Sequence, residues 1–136
     1  MDFSSLKIKE IDCVLKYTAE EMSFTTQNRH NHIIGIHLSG SAVHYLKNQK
    51  FTISENCIYF LNQKDDYKVK VLEKGVAFSV HFTTYEPIDT ESFCIKTAKA
   101  NEIVRLLNLI EKEFLSKNNE LGLMSDVYGL CSELNK

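Results

Sequence analysis

Up to about residue 97 the hydrophobic positions of the chain repeat with period two. Leu6 and Ile8 alternate with Lys7 and Lys9. Ile11, Cys13, Leu15 and Tyr17 continue on the opposite parity, which predicts a strand bulged around residues 9–10. Ile34, Ile36 and Leu38 alternate with Gly35 and His37, and Ser39, Gly40 and Ser41 signal a turn. Residues 43–46 and 50–53 flank Lys47, Asn48 and Gln49 as a tight hairpin. Residues 57–61 are a short apolar run suited to a buried strand, broken by Lys64, Asp65 and Asp66. Tyr67, Val69 and Val71 alternate with Lys68 and Lys70. Val76, Phe78, Val80 and Phe82 alternate with Ala77, Ser79 and His81, and residues 92–96 predict a last short strand. Eight or nine short strands with a turn every few residues predict a sandwich or barrel.

Beyond Thr97 the period becomes helical. Ile103, Leu106, Leu107, Ile110 and Phe114 fall at helical spacing, with Val104, Leu109 and Leu115 widening the apolar surface. Asn118 and Asn119 interrupt it. Leu123, Met124, Val127, Leu130, Cys131 and Leu134 then predict a second helix that reaches Lys136 still in phase, with Asn135 inside its last turn. That running-off predicts a natural protein that continues. The organisation is a β-domain over residues 1–97 and a helical pair over 98–136.

Composition narrows the class. A chain of 136 residues is sized for one domain, and 43% hydrophobic with 25% charged residues is the balance of a globular protein. Sixteen Lys and Arg against eighteen Asp and Glu leave a net charge of −2, too near neutral to hold a phosphate backbone unaided. No apolar run approaches the roughly 20 residues that span a bilayer. Residues 1–5 lack a basic region before an apolar stretch, so no signal peptide is expected and a cytoplasmic protein is. The four cysteines at 13, 57, 94 and 131 contain no CxxC and read as reduced, buried residues rather than a disulfide framework.

The candidate chemistry is sparse. His30 and His32 stand at i and i+2, which on a strand places them on one face. With a carboxylate and a further histidine they would form a metal site. Residues 33–38 hold no acid, however, and the first acid after His32 is Glu55, so histidines held by hydrogen bonds are the reading here. There is no GxSxG elbow, no GxGxxG and no P-loop lysine. Arg29 and the scattered lysines read as solvated strand faces. His44 on the hairpin lines a pocket or packs across strands.

The segment from Arg29 to Phe82 resembles the cupin sensor domain of AraC-type bacterial transcription regulators. The resemblance rests on Arg-His-Asn-His at 29–32, a strand to Gly40, the hairpin through Asn48, the run Ile53-Ser54-Glu55-Asn56-Cys57-Ile58-Tyr59-Phe60-Leu61-Asn62, and Val80-His81-Phe82 as a late strand. The helices after Thr97 match too. The family writes Gly-Asp where Asn56-Cys57 stands, Pro where Asn62 stands and a histidine where Tyr67 stands. Its metal-binding members also need a glutamate, whose position falls near Gly35 and Ile36. The resemblance therefore implies a cupin-like, double-stranded β-helix barrel with two C-terminal helices, no metal, no cofactor and no catalysis.

It further implies a small-molecule effector inside the barrel. The candidates are His30, His32, Ile34, His44, Tyr67, Val69, Phe78 and Val80. The resemblance turns the faces of His30, His32 and Ile34, and of Tyr67 and Val69, inward; Phe78 and Val80 are assigned inward without that support. A homodimer through the first helix is expected, with Ile103, Leu106, Leu107, Leu109, Ile110 and Phe114 as its interface. One stripe of that helix can cover the barrel, and the remainder, including Leu106 and Leu109, then needs a partner. The DNA-binding helix-turn-helix region that such regulators carry is absent from these residues. The alternative is a stand-alone cupin, either an enzyme or a sugar-binding protein.

Overall fold

The period-two half of the chain folds into two antiparallel sheets that face each other, and the helical half lies on the outside of one of them. The computed structural model describes residues 6–20 and 22–134. The readings above on residues 1–5, Asn135 and Lys136 lie outside the described residues. The elements are β1 (Ile8–Ala19), β2 (Ser23–Thr26), β3 (His32–His37), β4 (Ser41–Tyr45), β5 (Lys50–Ile53), β6 (Cys57–Leu61), β7 (Tyr67–Glu73), β8 (Gly75–Thr84), β9 (Phe93–Lys96), α1 (Ala100–Ser116) and α2 (Glu120–Leu134). One sheet runs β1-β8-β3-β6-β9 and the other β2-β7-β4-β5. The order interleaves early and late strands, which is the topology of a cupin-like barrel flanked by two C-terminal helices.

The pairing of β1 with β8 shifts register between Ile8 and Glu10 and again between Ile11 and Cys13. The parity change in the sequence is thus a real irregularity, and it lets one twelve-residue strand serve both ends of its sheet. β2 gave no signal in the sequence. It is short, exposed and polar but for Phe24, and it pairs along β7 as an edge strand.

The larger sheet is covered on both faces, so β3 and β6 are buried at every position. On one face Ile34, Ile36, Ile58, Phe60, Phe78, Val80 and Phe82 pack with Ile103, Leu107 and Ile110 of α1 and Val127 and Leu130 of α2. On the other, Ile33, Tyr59 and Leu61 pack with Ala42, Tyr67, Val69 and Val71 of the smaller sheet. This arrangement corrects the expected facing of Ile34, Phe78 and Val80. They point at the helices, because their odd-and-even neighbours Ile33 and Ser79 take the inward side of the pleat. His32 shares the parity of Ile34 and stacks on Phe60, with ring centroids 5.8 Å apart, and lies beside Phe82. Its face is also the helix side.

Part of the apolar excess of α1 is covered within the chain: Ile103, Leu106, Leu107 and Ile110 are all buried against the sheet and α2, while Leu115 stays exposed. Phe114 packs partly into the same core and Leu109 is half-buried. α1 closes at Lys117, which takes a left-handed conformation with φ 55° and donates its N–H to Glu113 O. No helix among the described residues is long and apolar enough to cross a membrane.

Candidate functional site

Between the two sheets lies a cavity of about 290 Å³. That is the lower end of the roughly 300–1,000 Å³ range of small-molecule sites. Every second residue of the inward-facing strands reaches it. β1 supplies Leu15 and Tyr17, β3 supplies Ile33 and His37, β6 supplies Tyr59 and Leu61, and β8 supplies Ser79 and His81. From the opposite sheet come Phe24, Ala42, His44, Tyr67, Val69 and Val71. Of the residues expected from the sequence, His44, Tyr67 and Val69 meet here. His30 is exposed, and His32, Ile34, Phe78 and Val80 lie in the helix-facing layer.

The polar groups of this wall are neutral. Burial pushes His44 down to about 3, with the neighbouring His37 and Arg29 adding to the effect. His81 is pushed down to about 4 by burial and then by Arg29, and burial lowers His37. The Tyr59 hydroxyl is driven well above its ordinary value by burial. No aspartate or glutamate lines the cavity. The Nδ1 atoms of His37 and His44 are buried without a hydrogen-bond partner. An orphaned buried nitrogen is costly unless something satisfies it, and a neutral imidazole offers one donor and one acceptor. Ser79 Oγ and His81 Nε2 satisfy each other at 3.1 Å.

His44 is packed between rings: its centroid lies 5.2 Å from Tyr67, 5.9 Å from Tyr59 and 5.9 Å from Phe51. Arg29 fixes this wall from outside. Its guanidinium lies 5.0 Å from the Tyr67 ring and donates to the carbonyls of Asn31, Asn62 and Asp65 at 2.9, 2.7 and 2.9 Å. The solvated role read for Arg29 in the sequence is thereby replaced by a structural one. His32 is satisfied separately, accepting from Gln63 N–H at Nδ1 over 3.0 Å and meeting Thr84 Oγ1 at 3.4 Å. Among the described residues no group of three or more His, Cys, Asp or Glu is placed to hold a metal ion.

Gly35 sets the shape of the cavity floor. A Cβ there would sit 2.5 Å from the Tyr59 hydroxyl oxygen, 2.6 Å from Tyr59 Cζ and 2.9 Å from Ser79 Cβ. The missing side chain is the space in which the Tyr59 ring lies. Gly35→Ala is therefore expected to displace Tyr59 and destabilise the fold by about 1–3 kcal/mol, the usual cost of overpacking. Chemical denaturation measures the loss. Adding Tyr59→Leu should recover part of it, because the two substitutions act on one contact; strictly additive losses would contradict this geometry.

The barrel, its flanking helices and the mainly apolar cavity between its sheets define a cupin-like fold. Solved structures share it. The chain is similar to ToxT from Vibrio cholerae O395 bound to (E)-4-(8-methylnaphthalen-1-yl)but-3-enoic acid, with a TM-score of 0.61 at 12% identity over 90% of this chain and 54% of that one. It is similar to unsaturated fatty acid bound wild-type ToxT from Vibrio cholerae strain SCE256, with a TM-score of 0.60 at 10% identity over 91% and 53%. The AraC-like transcriptional activator CuxR gives 0.55 at 12% identity over 86% and 45%. The chain thus spans about half the length of each of these proteins. No family model and no curated protein matches the sequence.

Proposed function

We propose that this chain is the effector-binding and dimerisation part of a cytoplasmic AraC-type transcription regulator and performs no catalysis. The observation that carries the reading is the mainly apolar cavity between the sheets, in a fold shared with ToxT and CuxR. The effector is a small, mainly apolar molecule whose polar end meets the unpartnered nitrogens of His37 and His44. The acids carried by the two ToxT structures are of that amphipathic kind. DNA contact belongs to helices outside this chain. Pairing of two copies rests on what α1 leaves uncovered, the half-buried Leu109 and the exposed Leu115, rather than on Leu106.

Two experiments test the reading. Calorimetric titration of the chain with oleate should give saturable binding of one molecule per chain, lost when Ala42→Phe fills the cavity. Absence of saturable binding by oleate and by a naphthyl butenoic acid sinks the effector class. The full reading frame should continue into two helix-turn-helix patterns; a stop codon after Lys136 supports a stand-alone cupin instead. A monomer in sedimentation at micromolar concentration removes the dimer.

A further inference from the structure

We propose that Cys57 and Cys94 form a reversible dithiol–disulfide pair that cross-links β6 to the edge strand β9 when the chain meets a hydroperoxide. All four cysteines are free thiols in this structure. Two of them are neighbours. In the antiparallel pairing of β6 with β9, Cys57 stands opposite Lys96 and Tyr59 opposite Cys94. The cysteines are therefore diagonal neighbours on one face, and that face is the inward one: Cys57 belongs to the core between the sheets and Cys94 packs against it. Both are also steered from β5 and its end. Cys94 Sγ donates to Thr52 O at 3.8 Å, and Cys57 Sγ meets Ser54 Oγ at 3.5 Å.

Diagonal positions on paired strands have Cα atoms about 7–8 Å apart. An ordinary disulfide spans roughly 4.4–6.8 Å. Closing the bond therefore draws the strands together by about 1 Å. β9 can give: it has four residues, lies at the edge of its sheet and has a half-exposed Cys94. A bond made against such a displacement is reduced more readily than an unstrained structural disulfide, which is what makes the pair reversible.

The chemistry balances on one peroxide. The Cys57 thiolate attacks hydrogen peroxide, the O–O bond breaks, and a sulfenic acid and hydroxide result, the hydroxide taking up a proton to become water. The Cys94 sulfur then attacks the sulfenic sulfur, the S–O bond breaks, and a second water leaves as the S–S bond forms. The two thiols lose two electrons and the hydroperoxide gains them. Burial, and then the adjacent Cys57, push the Cys94 thiol up to about 12, which keeps it protonated and leaves the first attack to Cys57. The second step, which needs the Cys94 thiolate, is accordingly slow at neutral pH and quickens as the pH rises. Cys94 also lies directly opposite Tyr59, a wall of the cavity, so the cross-link forms beside the proposed effector site without depending on it.

The test is peptide mapping of the full chain after hydrogen peroxide treatment and alkylation, without reductant. The expected product is a Cys57–Cys94 linked peptide, with Cys13 and Cys131 still alkylated, and its disappearance on adding dithiothreitol. Cys94→Ser, at the half-exposed position, should remove the linked peptide. If Cys94→Ser fails to fold, the wild-type map alone decides. Cys57 and Cys94 both left alkylated, a sulfinic acid at either, or a bond to another cysteine or to a second chain would each overturn the proposal.

Discussion

Acidification from about pH 7 to about pH 5 is expected to weaken the folded state by several kcal/mol, well before the carboxylates titrate. His32 and His44 are both nearly inaccessible, at 1% and 6% exposure. Burial and then Arg29 push His32 down to about 4; burial, then His37 and Arg29, push His44 down to about 3. Their ordinary value is 6.5. Between these limits the unfolded chain binds protons that the folded chain refuses, so stability rises with pH through the window and is flat above it. Each such histidine contributes a slope of about 1.4 kcal/mol per pH unit, or roughly 2 kcal/mol at about pH 5. His81 and His37 are lowered as well and add in the same direction. Asp12 and Glu113 have raised values and act oppositely, but only where carboxylates titrate. Urea midpoints across the range check this. A flat profile from about pH 7 to about pH 5 would show that these imidazoles are not buried as neutral groups. His44→Phe should reduce the slope.

Phe78→Ala is expected to cost about 3–5 kcal/mol, as for other buried aromatic truncations. Phe78 is fully buried in the layer between the larger sheet and the helices, with Lys16 Nζ 5.3 Å from its ring centroid on the paired strand. A domain of this size has roughly 5–15 kcal/mol to lose in all. The loss should appear in the denaturation midpoint with the slope against denaturant unchanged. At temperatures where the variant stays folded, affinity for a barrel ligand should be close to that of the parent. A variant of normal stability that no longer binds would instead put Phe78 in the binding site.

The contrast between Phe78 and Ser79 shows what the sequence made legible. Strands were readable because Tyr67, Val69 and Val71 alternate with lysines on a half-solvated sheet. The same rule reads poorly in β3 and β6, where Ile33 beside Ile34 and Tyr59 beside Phe60 make both parities apolar. Both faces of those strands are covered, one by a sheet and one by helices, so hydrophobicity does not say which face meets the cavity. His37 and Tyr59 lie on those two strands, and His81 on β8 sits one residue from Val80, which the sequence reading turned inward in its place. β2 escaped because three of its four residues are polar and it depends on β7. In α1 the apolar excess was visible, but a sequence does not tell a second helix from a second chain as its cover. Arg29 looked like a surface charge because its acceptors are backbone carbonyls as far away as Asp65.

The proposed effector site lies between the two sheets. The most direct measurement is a crystal structure of the chain soaked or co-crystallised with oleate. The expected result is ligand density bounded by His44, Tyr59 and Tyr67, with a polar atom at hydrogen-bond distance from His37 or His44. Ligand density in the helix-facing layer around Ile34, Phe78 and Val80, or only on the outside of the barrel, would contradict it.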